Sequence, residues 1–507
     1  MTNPRVRGAA ALIVLLLGST AAAPAEAQDA AEDRFIAEGD VVLAIGEEPA
    51  PLDLDTCIDV ALRSNDGLRQ ERQGLSELEA RKVQARSEGF PVVELQGAWS
   101  RSRDPSFALD ESFGGGEEGD DFFSILFPDT VDVAEFSFVP DPADIPAQTF
   151  WRTYLDAFWE LRPTRVWRAV SAAEGAIEQQ AALVRDAEHR TVEAVVGAYH
   201  AIVLARERLA AIEREIDARE EFLAVTRRRF RLEFATPLDT LQAAVSLSNL
   251  RPEARRRAND LRRAGQQLNL LLGRDPLTPV AVIASFPLED EVVPAGTALA
   301  LARHRPDLQA QRRESSLYEL RRGVADAQNH PYLTVEGQWG FVTRELEDLT
   351  NDGQDFWRAG VTLHLPLFDG LRSRGEIQEA QAQLRRNEAR VDELEGQVRD
   401  EVLDALEMLE IARADLTAAS LNLDRANDAY TQISLRYELG KADNLEVLNA
   451  QAERFTARST LIQARYDVLT SLATLKRAMG ASPALPLASI LAAADGGAPT
   501  NAQEESR

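Results

Sequence analysis

LRSRGEIQEAQAQLRRNEARVDELEGQVRDEVLDALEMLEIARADLTAASLNLDRANDAYTQISLRYELGKADN occupies residues 371–444. From Leu371 to Glu438 it holds no proline. At 1.5 Å per residue, about 68 helical residues make a rod of roughly 100 Å. Ordinary globular helices average about 11 or 12 residues, so no compact domain buries this run along its length. Ile377, Leu384, Val391 and Val398 recur at a spacing of seven, the signature of supercoiled packing against neighbouring helices. The rod therefore packs against other rods, in this chain or in copies of it. It breaks once, at Leu439-Gly440-Lys441-Ala442-Asp443, and a second helix then runs to Met479-Gly480.

Upstream the period changes from helix to strand. Pro331-Tyr332-Leu333-Thr334-Val335-Glu336-Gly337-Gln338-Trp339 alternates, and so does Phe356 to Leu365, with Ala359, Val361, Leu363 and Leu365 on one side. Strands are predicted over 331–343 and 356–366. The first half repeats this order. After a helix from about Asp55, read as its N-cap, to Glu88, a strand is predicted over 91–101 with Val93, Leu95 and Trp99 on one face. A second, over 153–161, sets Leu155, Ala157, Trp159 and Leu161 against Asp156, Phe158 and Glu160. Helices follow from Thr164 to about Leu232 and from Pro237 to Gly273, with Pro252 a candidate kink. A shift of 240 residues lays Pro331 on Pro91, Gly337 on Gly97 and Trp339 on Trp99. Both halves read helix, strand, strand, long helix, break, helix, which marks an internal duplication.

Four strands cannot close a barrel, and a hairpin in lipid would leave edge groups unpaired. Several chains must pool their strands, and three would give about twelve, within the range of outer-membrane barrels. Trp99, Trp159, Trp339 and Trp357 fit interfacial girdle positions, with burial in a core as the alternative.

The termini and composition bound the rest. Arg5 and Arg7 precede the apolar run Ala9 to Leu17 and the small-residue site Ala25-Glu26-Ala27, so residues 1–27 read as a secretory signal. No cysteine follows the cut, which predicts no lipid anchor. Residues 28–52 read as a flexible lead-in, 53–273 as the first repeat, 274–296 as a proline-rich connector, 297–480 as the second repeat and 481–507 as a partly disordered tail. The loop 102–149 is acidic and lacks Ca²⁺-loop spacing, so a solvated surface loop is preferred to a metal site. A net charge of −27 disfavours nucleic acid as a partner. The single cysteine, Cys57, permits no internal disulfide. The five histidines are scattered and no nucleotide loop or catalytic constellation is present, so neither an enzyme nor a cofactor is expected.

These features resemble the TolC-type outer-membrane efflux and secretion proteins over about residues 52–480. The most specific pieces are the duplicated pattern, Leu365-Pro366-Leu367-Phe368-Asp369-Gly370 before the long helix, Tyr437-Glu438-Leu439-Gly440 at its break, and the helix ends at Gly273 and Gly480. The resemblance implies a mainly α fold with membrane β. The duplicated units of three chains would form a trimeric 12-stranded barrel, four strands per chain, joined to a long α-helical periplasmic barrel. It implies passive conduction of small molecules or polypeptides across the periplasm and outer membrane. The partners would be a periplasmic adaptor, an inner-membrane transporter and outer-membrane lipid. It places the helix breaks at a periplasmic tip that gates the duct. There Asp239 matches an aspartate hydrogen-bonded by the tyrosine that Tyr437 matches, and Glu446 matches an acid ring that narrows the pore. Asn449 is neutral where a second acid occurs. Ala442 replaces a basic residue beside Lys441, and Glu233 replaces a glycine. Gly440 and Asp443 complete the second break. The competing reading is a periplasmic coiled-coil adaptor or scaffold without a membrane barrel.

Overall fold

The computed structural model describes residues 51–102, 147–283, 289–346 and 354–494. The expected signal peptide, most of the lead-in, most of the acidic loop and the last part of the tail lie outside the described residues. The described residues divide into two compact units, one built from 86–102, 147–166, 329–346 and 354–369, the other from 51–85, 167–283, 289–328 and 370–494.

The first unit holds one four-stranded antiparallel sheet in the order β1 (Val92–Ser102), β2 (Gln148–Leu161), β3 (Tyr332–Thr343), β4 (Asp355–His364). The two expected hairpins are therefore zipped together by β2 and β3. The register explains why. Leu95, Leu155, Trp339 and Trp357 form one row, and Val93, Ala157, Gly337 and Ala359 the next. With a side-chain period of two, this register aligns Val93, Leu95, Leu155, Trp339 and Trp357 on one face. β2 begins at Gln148, inside the stretch expected to be loop.

The second unit is helical: α1 (Leu54–Ser64), α2 (Asp66–Ser87), α3 (Pro163–Arg231), α4 (Pro237–Leu271), α5 (Ala295–Ala302), α6 (Pro306–Ala327), α7 (Arg372–Glu438), α8 (Asn444–Ala478) and α9 (Leu487–Ala494). The last two residues of α2 and the first four of α3 lie outside the unit's boundary. The single helix expected over 55–88 is two. Asn65 is extended, and its side chain accepts from Leu68 N at 3.0 Å and donates to the Leu271 carbonyl at 2.9 Å, so it caps a new helix while bonding another. The N-cap of α1 is Asp53 rather than Asp55, accepting from Thr56 N. Pro252 lies within α4, which continues through it.

The duplication is visible in the packing. One core joins Cys57 and Ala61 of α1 to Val195, Tyr199 and Ile202 of α3 and Leu268 of α4. Another joins Ala298 and Ala302 of α5 to Val402, Ala405 and Leu409 of α7 and Leu472 and Leu475 of α8. The repeat offset is 240 at the starts of β1 and β3 but 207 at the starts of α4 and α8. The difference falls between the two strands of each hairpin, where the first repeat carries the longer loop. The tail is not wholly irregular: α9 inserts Leu487 and Ile490 into the second core. Its first N–H is bonded by Glu289, which also pairs with buried Lys476 at 2.8 Å.

His200 of α3 is 3 % exposed, and burial pushes its pKa down to about 4. A base buried neutral gives its full contribution above the ordinary value near 6.5 and loses it as pH falls towards 4. The full difference is worth about 3 kcal/mol. The unfolding temperature of the purified protein should fall between pH 6.5 and 4, and His200→Leu should shrink that fall. Equal pH dependence in the two proteins would refute the assignment.

Candidate functional site

Two groups of residues carry the expected chemistry: the apolar face of the sheet and the two helix breaks. On the sheet, Trp99, Trp339 and Trp357 are exposed together with Val93, Leu95, Leu155, Val361 and Leu363. The face is a continuous apolar surface, far larger than scattered exposed side chains require. Trp159 is less exposed, and its indole N–H donates to the Gly89 carbonyl at 3.0 Å. The register does not put the four tryptophans in one row. Trp99 pairs with Trp151, four positions along β1 from the row of Trp339 and Trp357, and Trp159 pairs with Val335, four positions the other way along β2. Trp151, whose ring centroid lies 6.3 Å from that of Trp99, falls between the loop read to residue 149 and the strand read from Thr153. Its alternation with Thr153 and Leu155 was the available signal.

The opposite face carries the polar side chains, with Val92 and Phe158 exposed among them. Tyr154 donates to Gln96 Oε1 at 2.7 Å, and Gln338 donates to Asp156 Oδ1 at 2.8 Å. Glu94 and Arg358 extend the row of Asp156 and Gln338 to the two edge strands. β1 and β4 each pair on one side only among the described residues.

The two helix breaks are built alike. α3 ends with Phe234 N bonded to the Arg229 carbonyl and Glu233 N to that of Phe230, and α7 ends with Lys441 N bonded to the Arg436 carbonyl and Gly440 N to that of Tyr437. This closure needs a left-handed residue, and Gly440 supplies it at φ 69°. Glu233 occupies the same position of the first break at φ 66°, where a side chain costs about 1 kcal/mol. Glu233→Gly should therefore raise stability by up to about 1 kcal/mol, read as a higher thermal midpoint by circular dichroism. A lower midpoint would show that the carboxylate makes a compensating contact.

The helices then restart on matching caps. Thr236 accepts from Asp239 N at 3.2 Å, and the Asp239 carboxylate accepts from Thr236 N at 2.7 Å and from its hydroxyl at 2.8 Å. Asp443 accepts from Glu446 N at 2.8 Å. Asp239 and Glu446 are thus equivalent third residues of their helices. No hydrogen bond joins Asp239 to Tyr437 in this protomer, in contrast to the expected link. The Asp239 carboxylate is occupied by its own cap. Tyr437 is buried beneath Arg229, whose guanidinium lies 4.3 Å over the ring and donates to the Tyr437 carbonyl at 2.7 Å, with Phe222 beside it. The breaks are instead stitched by Asn444, which donates to the Asp239 carbonyl at 3.4 Å and to Gln242 Oε1 at 3.2 Å. Lys441, Asp443, Glu446 and Asn449 are all exposed. Asn449 lies in an open cleft of about 610 Å³ with Leu238, Leu241 and Val245, whose side chains face solvent.

Behind the breaks lies a charged network that sequence reading missed. Glu215 and Arg219, both buried, pair at 2.7 Å. Arg219 also donates to Ser246, and Arg454 stands 3.7 Å from the other Glu215 oxygen and 4.0 Å over the Tyr430 ring. No helix among the described residues is long and apolar enough to cross a membrane. No group of three or more metal-ligating side chains is found among them either.

The profile of a family described as "Outer membrane efflux protein" matches residues 298–481. "Outer membrane protein OprJ" of Pseudomonas aeruginosa is 26% identical over 501 residues, covering 95% of this chain and 96% of that protein. "Probable efflux pump outer membrane protein TtgC" of Pseudomonas putida is 24% identical over 437 residues, covering 84% of this chain and 82% of its own. The solved structure of the Campylobacter jejuni CmeC outer membrane channel superposes with a TM-score of 0.70 at 16% identity, covering 88% of this chain and 89% of that one. This last likeness shows the fold.

Proposed function

The chain belongs to the outer membrane efflux protein family, and from that premise we propose that it is the exit duct of a tripartite exporter, open passively and driven from the inner membrane. It is a protein of the outer membrane that extends into the periplasm. The observation that carries the duct reading is the sheet: a continuous apolar face, a polar face, and two edges unpaired in this chain among the described residues. Open edges are not tolerated in lipid, and three copies joining β4 to β1 would close twelve strands. The polar face would then line the lumen. Trp99 and Trp151 at one end and Trp159 at the other stand eight positions apart along β2, roughly 26 Å at the strand rise. That separation suits two interfacial girdles, leaving Trp339 and Trp357 between them. The coiled-coil adaptor reading accounts for none of this.

In the assembled duct the breaks of α3–α4 and α7–α8 form the periplasmic tip, the docking end for an adaptor and an inner-membrane transporter. Asp239, Tyr437, Gly440, Lys441, Asp443, Glu446 and Asn449 are its residues. Three exposed Glu446 side chains around an axis make a cation-attracting constriction. Glu446→Gln should lower the cation-to-anion permeability ratio in planar bilayers several-fold, and an unchanged ratio would remove Glu446 from the pore.

The cargo we propose is small molecules, in keeping with the words "efflux pump" in the name of the Pseudomonas putida relative. Deleting the gene should raise cellular accumulation of a lipophilic dye several-fold, reversed by the wild-type chain. Unchanged accumulation with loss of an exported polypeptide would assign secretion instead. A monomer that washes off the membrane would overturn the duct.

A further inference from the structure

One cleft runs against the charge of the whole chain. The protein carries a formal −27, yet Arg303, Arg312 and Arg399 line a single opening of about 480 Å³ with one acid, Glu395. Its floor is apolar, formed in part by Leu299 and Ala302 of α5. Arg312 is held by Glu395 at 2.7 Å and by the Arg303 carbonyl at 3.3 Å. The Arg303 and Arg399 side chains are exposed, and their guanidinium groups have no hydrogen-bond or ion-pair partner among the described residues. Arg305, two residues on, is buried and paired with both Asp307 and Glu401. Two unengaged guanidinium forks above an apolar floor suit carboxylates carried on a chain.

The chain brings such carboxylates close by. α9 rests on α5: Leu487 and Ile490 share a core with Ala298 and Ala302, and Leu299 packs against it. Ala302 thus belongs both to that core and to the floor of the cleft. Beyond Ala494 the sequence reads Asp495-Gly496-Gly497-Ala498-Pro499-Thr500-Asn501-Ala502-Gln503-Glu504-Glu505-Ser506-Arg507. Three acids against one arginine leave this segment with a formal −2, opposite in sign to the +2 of the cleft. Ten residues from Ala494 to Glu504 reach up to about 33 Å, ample for a cleft built on the helix that α9 touches.

We propose that residues 495–507 dock on this cleft, Glu504 and Glu505 engaging Arg303 and Arg399, so that the chain's own tail covers the arginines and holds α9 on α5. The geometry asks for no other partner and is independent of what the duct conducts.

Disulfide trapping in the full-length protein tests it with all four charges intact. His304→Cys and Ser506→Cys flank the two proposed ends. Cys57 can stay, being buried with its thiol pushed up to about 11. Under mild oxidation the pair should close within one chain at least five-fold faster than Ser506→Cys with Arg263→Cys on an exposed part of α4. Adding Glu504→Gln and Glu505→Gln should abolish that advantage. The same two neutral substitutions, without cysteines, should speed trypsin cleavage after Arg303 several-fold in the folded protein. Equal trapping rates would overturn the proposal, as would a product of twice the chain mass, which would assign the cleft to another copy's tail. Cleavage at Arg303 unaffected by the glutamates would overturn it as well.

Discussion

Gly340→Ala is expected to abolish assembly of the membrane sheet, while Gly337→Ala, three residues away on the same strand, leaves it intact. Gly340 lies in the row Gln96–Tyr154–Gly340–Phe356. The Tyr154 and Phe356 rings approach to 6.1 Å from the strands on either side of it, and the Tyr154 hydroxyl is tied to Gln96. Two aromatic residues flanking a strand glycine are a device for fixing register, since the rings cover the backbone the glycine leaves bare. A methyl at Gly340 would sit 2.5 Å from Tyr154 Cα and closer still to the Thr153 carbonyl oxygen and Tyr154 Cβ. Two of those atoms are backbone, so they yield only if the β2–β3 ladder parts. Overpacking of this kind costs about 3 kcal/mol, and a closed barrel would incur it once per chain. At Gly337 the nearest atom is the Ala157 Cβ at 4.0 Å, an ordinary contact. Outer membranes run unheated on denaturing gels should retain the oligomer band for Gly337→Ala and lose most of it for Gly340→Ala. Equal bands would mean that the aromatic row does not set the register.

The contrast between these glycines was beyond sequence reading, though much around them was legible. Alternation at Val93, Leu95 and Trp99 and at Val361 and Leu363 assigned the apolar face correctly, because a period of two survives any choice of strand partner. What alternation cannot supply is the partner itself, so the β2–β3 zipper went unread. Trp151 lies between the loop read to residue 149 and the strand read from Thr153, so the N-terminal end of β2 went unread. Tail composition likewise masked α9, a helix whose alanines and leucines gain meaning only when α5 offers a surface. At the helix breaks the cap residues were legible in type. Their partners were not: the Asp239 carboxylate turns to Thr236, two atoms already fixed by the local turn, before any distant tyrosine can compete.

Glu215→Gln should be among the most destabilising single changes in the helical unit. On sequence alone Glu215 and Arg219 form one more i,i+4 pair on a charged helix, worth about 0.3–0.5 kcal/mol in water. The crossing of α4 and α8 changes that, burying both side chains and bringing Ser246 and Arg454 to them. Glu215 is then shared by two arginines. Glutamine preserves its size and one acceptor for Arg219 Nε but leaves two guanidinium charges facing each other without a counter-ion. Breaking a buried pair by removing one partner costs about 3–5 kcal/mol, well above the exposed value. Arg454 would retain the Tyr430 ring, and that contact is worth no more than about 2 kcal/mol. The network also joins α3 to α4 and α8 just behind the breaks, so its loss should loosen them before the cores unfold. Amide exchange should accelerate over residues 216–232 and 430–448 while the core around Val402 and Leu475 stays protected. The double change Glu215→Leu with Arg219→Leu separates charge from packing: replacing both partners with apolar residues should recover much of the lost stability. If Glu215→Gln costs no more than an exposed pair, the burial of this carboxylate does not hold in the assembled protein. If the double leucine variant is as unstable as the single change, its value lies in shape rather than charge.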